Sequence, residues 1–118
     1  MSKSDFSKVK ASLPAPLLPD AKEGTISLKD IPNGMRFGVS EYPGIETGHV
    51  VTCRFGYAGD DFPYDEEYVV ENPTSFELVV PRKVLLDLTG KTAIARYWVK
   101  KMDGSYLSSS PTTVKVTH

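Results

Sequence analysis

With 118 residues, 14 of them basic and 15 acidic, the chain has the size of one domain, and such a domain can remove roughly two-thirds of its unfolded surface from water. The near balance of charge supplies no global field towards nucleic acid or an anionic membrane, so nucleic acid is not expected as a partner. Cys53 is the single cysteine, which excludes an intrachain disulfide and any cysteine-rich zinc site.

Residues 1–12 carry lysines and serines with few large apolar residues and read as a flexible lead-in, with the folded domain expected over residues 13–117. This opening stretch lacks the apolar run of ~7 to 15 residues that a secretory signal needs. Nor does any stretch approach the ~18 apolar residues of a spanning helix, so no membrane insertion is expected. The localisations left open are the cytoplasm, export by a route without a cleaved signal, including to the cell surface, and membership of a larger protein.

The run Leu13-Pro14-Ala15-Pro16-Leu17-Leu18-Pro19 is too rich in proline for a helix or a central strand. Proline fixes φ and removes a donor, which predicts a segment along a sheet edge with Leu17 or Leu18 pinned to the core. Gly24 to Ile31 follows, and Asn33-Gly34 signals a turn. From Met35 to Glu41 the residues Met35, Phe37 and Val39 alternate with Arg36, Gly38 and Ser40, the period of a strand. Tyr42-Pro43-Gly44 ends that strand. Beyond Thr47-Gly48, His49 to Phe55 places Val51, Cys53 and Phe55 on one face and Thr52 and Arg54 on the other.

A polar loop from Ala58 to Tyr64 leads to a strand expected over Glu67 to Glu71, and Asn72-Pro73 makes the next turn. Ser75 to Val80 alternates again, with Phe76, Leu78 and Val80 inward. Val84, Leu85 and Leu88 have the spacing of one or two helical turns, bounded by Gly90. Lys91 to Met102 is the stretch on which the others are organised: Ala93, Ala95, Tyr97 and Val99 line a core face, while Ile94, Arg96, Trp98 and Lys100 line the other. Asp103-Gly104 predicts a tight hairpin into a last strand, Tyr106 to Thr117, with Val114 and Val116 inward and Pro111 marking a bulge or an edge. Short strands between turn signals, with almost no helix, predict an all-β, antiparallel sandwich of about seven strands with one short helical turn.

Ala95-x-Tyr97-x-Val99 resembles the Ala-x-Tyr-x-Cys signature of strand F in immunoglobulin domains, with Val99 where the second disulfide cysteine would stand and Phe55 where strand C would carry its tryptophan. Leu13 to Pro16, Tyr42 to Gly44, Gly48 to Thr52, Phe76 to Pro81, Tyr97 to Val99 and Ser110 to Val116 together resemble, in order and spacing, the Ig-like modules repeated in large surface and adhesin-like proteins of Pseudomonas and related bacteria. The resemblance spans about Leu13 to Thr117. It departs at Gly48-His49, where the family has Gly-Asp, and in having one module where several are common. It implies an immunoglobulin-like sandwich with a recognition or structural role, and no catalytic residues.

Candidate chemistry is sparse. His49 and His118 are the only imidazoles and are expected at the surface, and no Gly-x-Ser-x-Gly or phosphate-cradling loop accompanies them. Ser108-Ser109-Ser110 reads as a polar edge run. Neither an enzyme nor a cofactor is expected. Asp60, Asp61, Asp65, Glu66 and Glu67 are hard oxygen ligands of the kind calcium takes, but their spacing is not that of an EF-hand and the plainer reading is a solvated acidic loop.

Immunoglobulin topology would make the strands holding Arg54 and Trp98 neighbours, with the last strand beside them. Arg54, Arg96, Trp98, Lys100 and Lys115 are then expected to form one outward patch with an exposed indole, a binding face for a protein or carbohydrate partner. The plainer alternative is that lysine and arginine stems cover an isolated tryptophan. A recognition or adhesion module, a structural spacer or assembly subunit, and a small secreted effector remain the readings to be told apart.

Overall fold

The computed structural model describes residues 11–57 and 63–118. In chain order its elements are β1 (Ala11–Leu13), β2 (Thr25–Ser27) running into a 3-10 turn (Leu28–Asp30), β3 (Met35–Val39), β4 (Val50–Tyr57), β5 (Tyr64–Val69), β6 (Phe76–Val80), the short helix α1 (Arg82–Leu86), β7 (Thr92–Lys100), β8 (Tyr106–Ser109) and β9 (Thr112–Thr117). One sheet runs β1-β8-β7-β4-β5, with β9 also on β7 and β2 on β9; the other is the pair β3-β6. The fold is the all-β sandwich expected, with β4, β7 and β8 side by side. Two three-residue strands, β1 and β2, pair in parallel with β8 and β9 in an otherwise antiparallel arrangement.

The strand expected from Tyr106 to Thr117 is two strands that share one partner. β8 pairs with Trp98 to Lys100 and β9 with Thr92 to Ala95. Pro111 cannot donate to a ladder, and the chain breaks there. At the break the Tyr97 N–H donates to Ser109 Oγ at 3.0 Å instead of to a backbone carbonyl. Ser108 and Ser109 are therefore fully buried beside β7, not the exposed edge run that their polarity suggested. The hairpin before them closes as expected, with Lys101 N–H donating to the Ser105 carbonyl and Gly104 at φ 88°.

The proline segment crosses from one sheet to the other. Prolines have no N–H, but their carbonyls still accept: Tyr97 Oη donates to Pro14 O at 2.7 Å and Thr112 Oγ1 to Pro16 O at 2.6 Å. Leu17 and Gly38 then exchange two backbone hydrogen bonds, which adds Leu17 to the open side of β3. Leu18 is buried and Leu17 exposed.

Between the sheets, Phe37, Val51, Phe55, Tyr97, Val99 and Val116 are fully buried, each worth about 1.5–3 kcal/mol of burial for an aliphatic or phenyl-sized side chain. Phe76 was expected among them and is only partly buried. It stacks on Tyr68 of β5, ring centroids 3.9 Å apart, where the two sheets approach along one side. β5 begins at Tyr64 rather than Glu67 because Tyr64, opposite Phe55, points into the core.

Cys53 is buried, and burial, then the charges of Glu66 and Asp65, push its thiol pKa up. His49 is the clearest correction to the expected surface. It is 3% exposed, stacked on Tyr42 with the rings 6.0 Å apart, and its Nδ1 is 2.9 Å from Tyr42 Oη. Tyr42 also packs on Tyr97, and burial pushes its pKa up to about 12.

Candidate functional site

The outward face of the larger sheet is built from alternate residues of β5, β4, β7 and β8. One row is Glu67, Thr52, Trp98 and Ser108; the next is Asp65, Arg54 and Arg96. Arg54 and Arg96 are thus direct cross-strand neighbours, and like charges in that position repel. Four contacts offset the repulsion. Arg54 Nε lies 3.3 Å from Asp65 Oδ2; Arg96 Nε donates to Ser109 O at 3.2 Å; and the guanidinium carbons of Arg54 and Arg96 lie 5.2 and 5.0 Å from the Trp98 ring centroid. Burial lowers the pKa of Arg96 from its ordinary value, which leaves a guanidinium still charged.

The expected exposed indole is not there. Trp98 lies outside the sandwich, as its alternation requires, yet is only 4% exposed, and Arg54 is 9% exposed. The physical reason is position: Trp98 sits in the middle of a wide sheet, where long side chains from neighbouring strands reach it. Nor is the expected patch contiguous. Lys115 is opposite Thr92, six residues along β7 from Trp98 and so roughly 20 Å away. Lys100 is exposed at the near end of β7, opposite Val50 and Tyr106. The structure therefore brings together Arg54, Arg96 and Trp98, places Lys100 beside them, and leaves Lys115 apart.

Of the acidic loop, Asp60 and Asp61 lie outside the described residues. Asp65 is engaged with Arg54, and Glu66 accepts a hydrogen bond from Tyr64 Oη. Among the described residues no three His, Cys, Asp or Glu side chains gather as metal ligands would, and no helix is long and apolar enough to cross a membrane. His49 is held by Tyr42, and Ser109 is committed to the Tyr97 N–H.

One feature escaped the sequence reading. On the outer face of the small sheet Leu17, Gly38 and Glu77 form a row, since Gly38 is opposite both. Gly38 leaves a gap between the other two, and a groove of about 660 Å³ opens there, lined among others by Pro19, Glu41 and Phe76. A glycine inside an alternating strand was the available signal, because it marks a close backbone approach or a missing wall. Comparison with family models, with curated proteins and with solved structures gave no match.

Proposed function

We propose that this chain is a non-catalytic, immunoglobulin-like recognition module of the kind repeated in bacterial adhesin-like proteins, and that it holds an acidic protein or glycan partner against the outer face of β4, β7 and β8. The observation that carries this reading is the Arg96–Trp98–Lys100 series on β7. Arg96 is fixed by Ser109 O and by the indole, so little rotamer freedom is lost when it meets a carboxylate, and Lys100 stands exposed two residues beyond Trp98. The neighbouring order of β4, β7 and β8 also agrees with the strand order that the immunoglobulin resemblance implies.

The test is an array of acidic glycans together with a polyglutamate peptide, probed with the wild type and with Lys100→Glu. Lys100 is exposed, so the variant should melt with the wild type. Binding that Lys100→Glu weakens about tenfold supports the reading, since a charge at the rim of a contact contributes on that scale. Binding indifferent to Lys100→Glu contradicts it. A second reading, a structural spacer or assembly subunit, is favoured by the coverage of Trp98, which removes the apolar anchor that a contact centre usually offers.

A further inference from the structure

From the row Leu17, Gly38 and Glu77 we infer that the groove on the small sheet is a receptor for a lysine or arginine side chain presented by an exposed basic segment of a partner protein. This surface lies on the sheet opposite the cationic face and does not depend on the reading given for that face.

The groove follows from strand geometry. Leu17 and Glu77 stand on either side of Gly38, about two inter-strand spacings, or roughly 10 Å, apart. A side chain on residue 38 would fill that space. Gly38 is not among the residues at positive φ, so the backbone does not demand glycine there. What it provides is room: an added Cβ would come within 3.4 Å of Leu17 Cβ. The floor is Gly38, which has no side chain and is itself buried. Leu17, 56% exposed, and Pro19 supply apolar wall, and Glu77 and Glu41 stand at the rim. An aliphatic stem fits the apolar part, and a cationic head meets the carboxylates.

Charge decides the class of occupant. Glu41 and Glu77 form no ion pair among the described residues. The nearby cation, Arg36, is taken up by Asp20, with a bond of 2.9 Å from Nη2 and a second from the Arg36 backbone N–H, while Glu77 acts on it only as a lesser, through-space charge. The Arg36–Asp20 pair cancels itself, and the rim keeps its negative charge. Neutral or acidic segments gain nothing from it, whereas a basic one neutralises both carboxylates.

The experiment is an amide NMR titration of the whole chain with three blocked tripeptides, Ser-Lys-Ser, Ser-Arg-Ser and Ser-norleucine-Ser. The cationic peptides should cause saturable shifts at Leu17, Gly38 and Glu77 with a dissociation constant of the order of 1 mM, the range open to one inserted side chain. Norleucine should bind at least about fivefold more weakly, and the double variant Glu41→Gln/Glu77→Gln, which alters only exposed side chains, should weaken the cationic peptides by about the same factor. Gly38→Val should abolish the shifts by filling the floor. Equal binding of norleucine, shifts that map to the acidic strand β5 instead, or no saturable shift would each overturn the inference. So would groove shifts that grow with protein concentration in the absence of peptide, since the occupant would then be a second copy of this chain.

Discussion

The outer faces of the two sheets expose opposite behaviour from similar ingredients. On the large sheet Trp98 and Arg54 point away from the core yet are almost wholly covered; on the small sheet Leu17 and Val79, which also point away, are more than half exposed. Width explains the difference. Trp98 has β4 on one side and β8 on the other, and the guanidinium groups of Arg54 on β4 and Arg96 on its own strand lie over its ring. In the pair β3-β6 every residue lies next to an edge, and Gly38 removes the one side chain that would have filled the centre. A sheet face is thus open or closed according to how many neighbours its central row has, and polarity alone does not decide it.

Substitutions sharpen this contrast, beginning with the layer that both sheets share. Phe55→Ala removes a fully buried ring from between the sheets and should cost about 4 kcal/mol, read from denaturant melts. A loss under about 1 kcal/mol would contradict the register of β4. Trp98→Ala comes next, at about 2–3 kcal/mol, because the indole is covered and also keeps two guanidinium groups in place. If the large sheet's outer face were open in the manner of the small one, the same change would cost almost nothing.

Asp20→Asn should have a smaller effect with a distinctive pH dependence. The hydrogen bond from Arg36 holds the Asp20 carboxyl below its ordinary value. A carboxylate whose folded pKa is depressed stabilises the fold above its unfolded pKa, near ~3.9, and that stabilisation is lost as pH falls through the lower folded value. The melting temperatures of wild type and Asp20→Asn should therefore differ at neutral pH and converge below about pH 4. A difference that stays constant into acid would show that the pair does not form. At the foot of the scale, Leu17→Ser and Val79→Ser should each alter stability by no more than about 0.5 kcal/mol, because both side chains are already in water.

Alternation made most of the sandwich legible. It assigned the inward faces of β3, β4, β7 and β9 correctly, since their core residues recur at every second position, and the turn dipeptides Asn33-Gly34 and Asp103-Gly104 fixed where the chain reverses. What alternation does not carry is coverage. It placed Trp98 on the outer face but could not state that neighbouring strands would close over it. His49 was misjudged for a related reason, as its partner Tyr42 reaches it across a loop and no periodicity links them. The burial of Ser109 depended on the break at Pro111, which leaves the Tyr97 N–H in need of an acceptor. The groove was invisible until Leu17 was known to lie beside Gly38, twenty-one residues later in the chain.

Trp98 is the single tryptophan, so its fluorescence reports on the closed face without interference from any other indole. The most direct test of the contrast between the faces is acrylamide quenching of the native protein. At 4% exposure the indole should emit at blue-shifted wavelengths and quench several-fold more slowly than in the denatured chain. A red-shifted emission, quenched as fast as in denaturant, would mean that the large sheet's outer face is as open as the small one's, and the account of what closes it would be wrong.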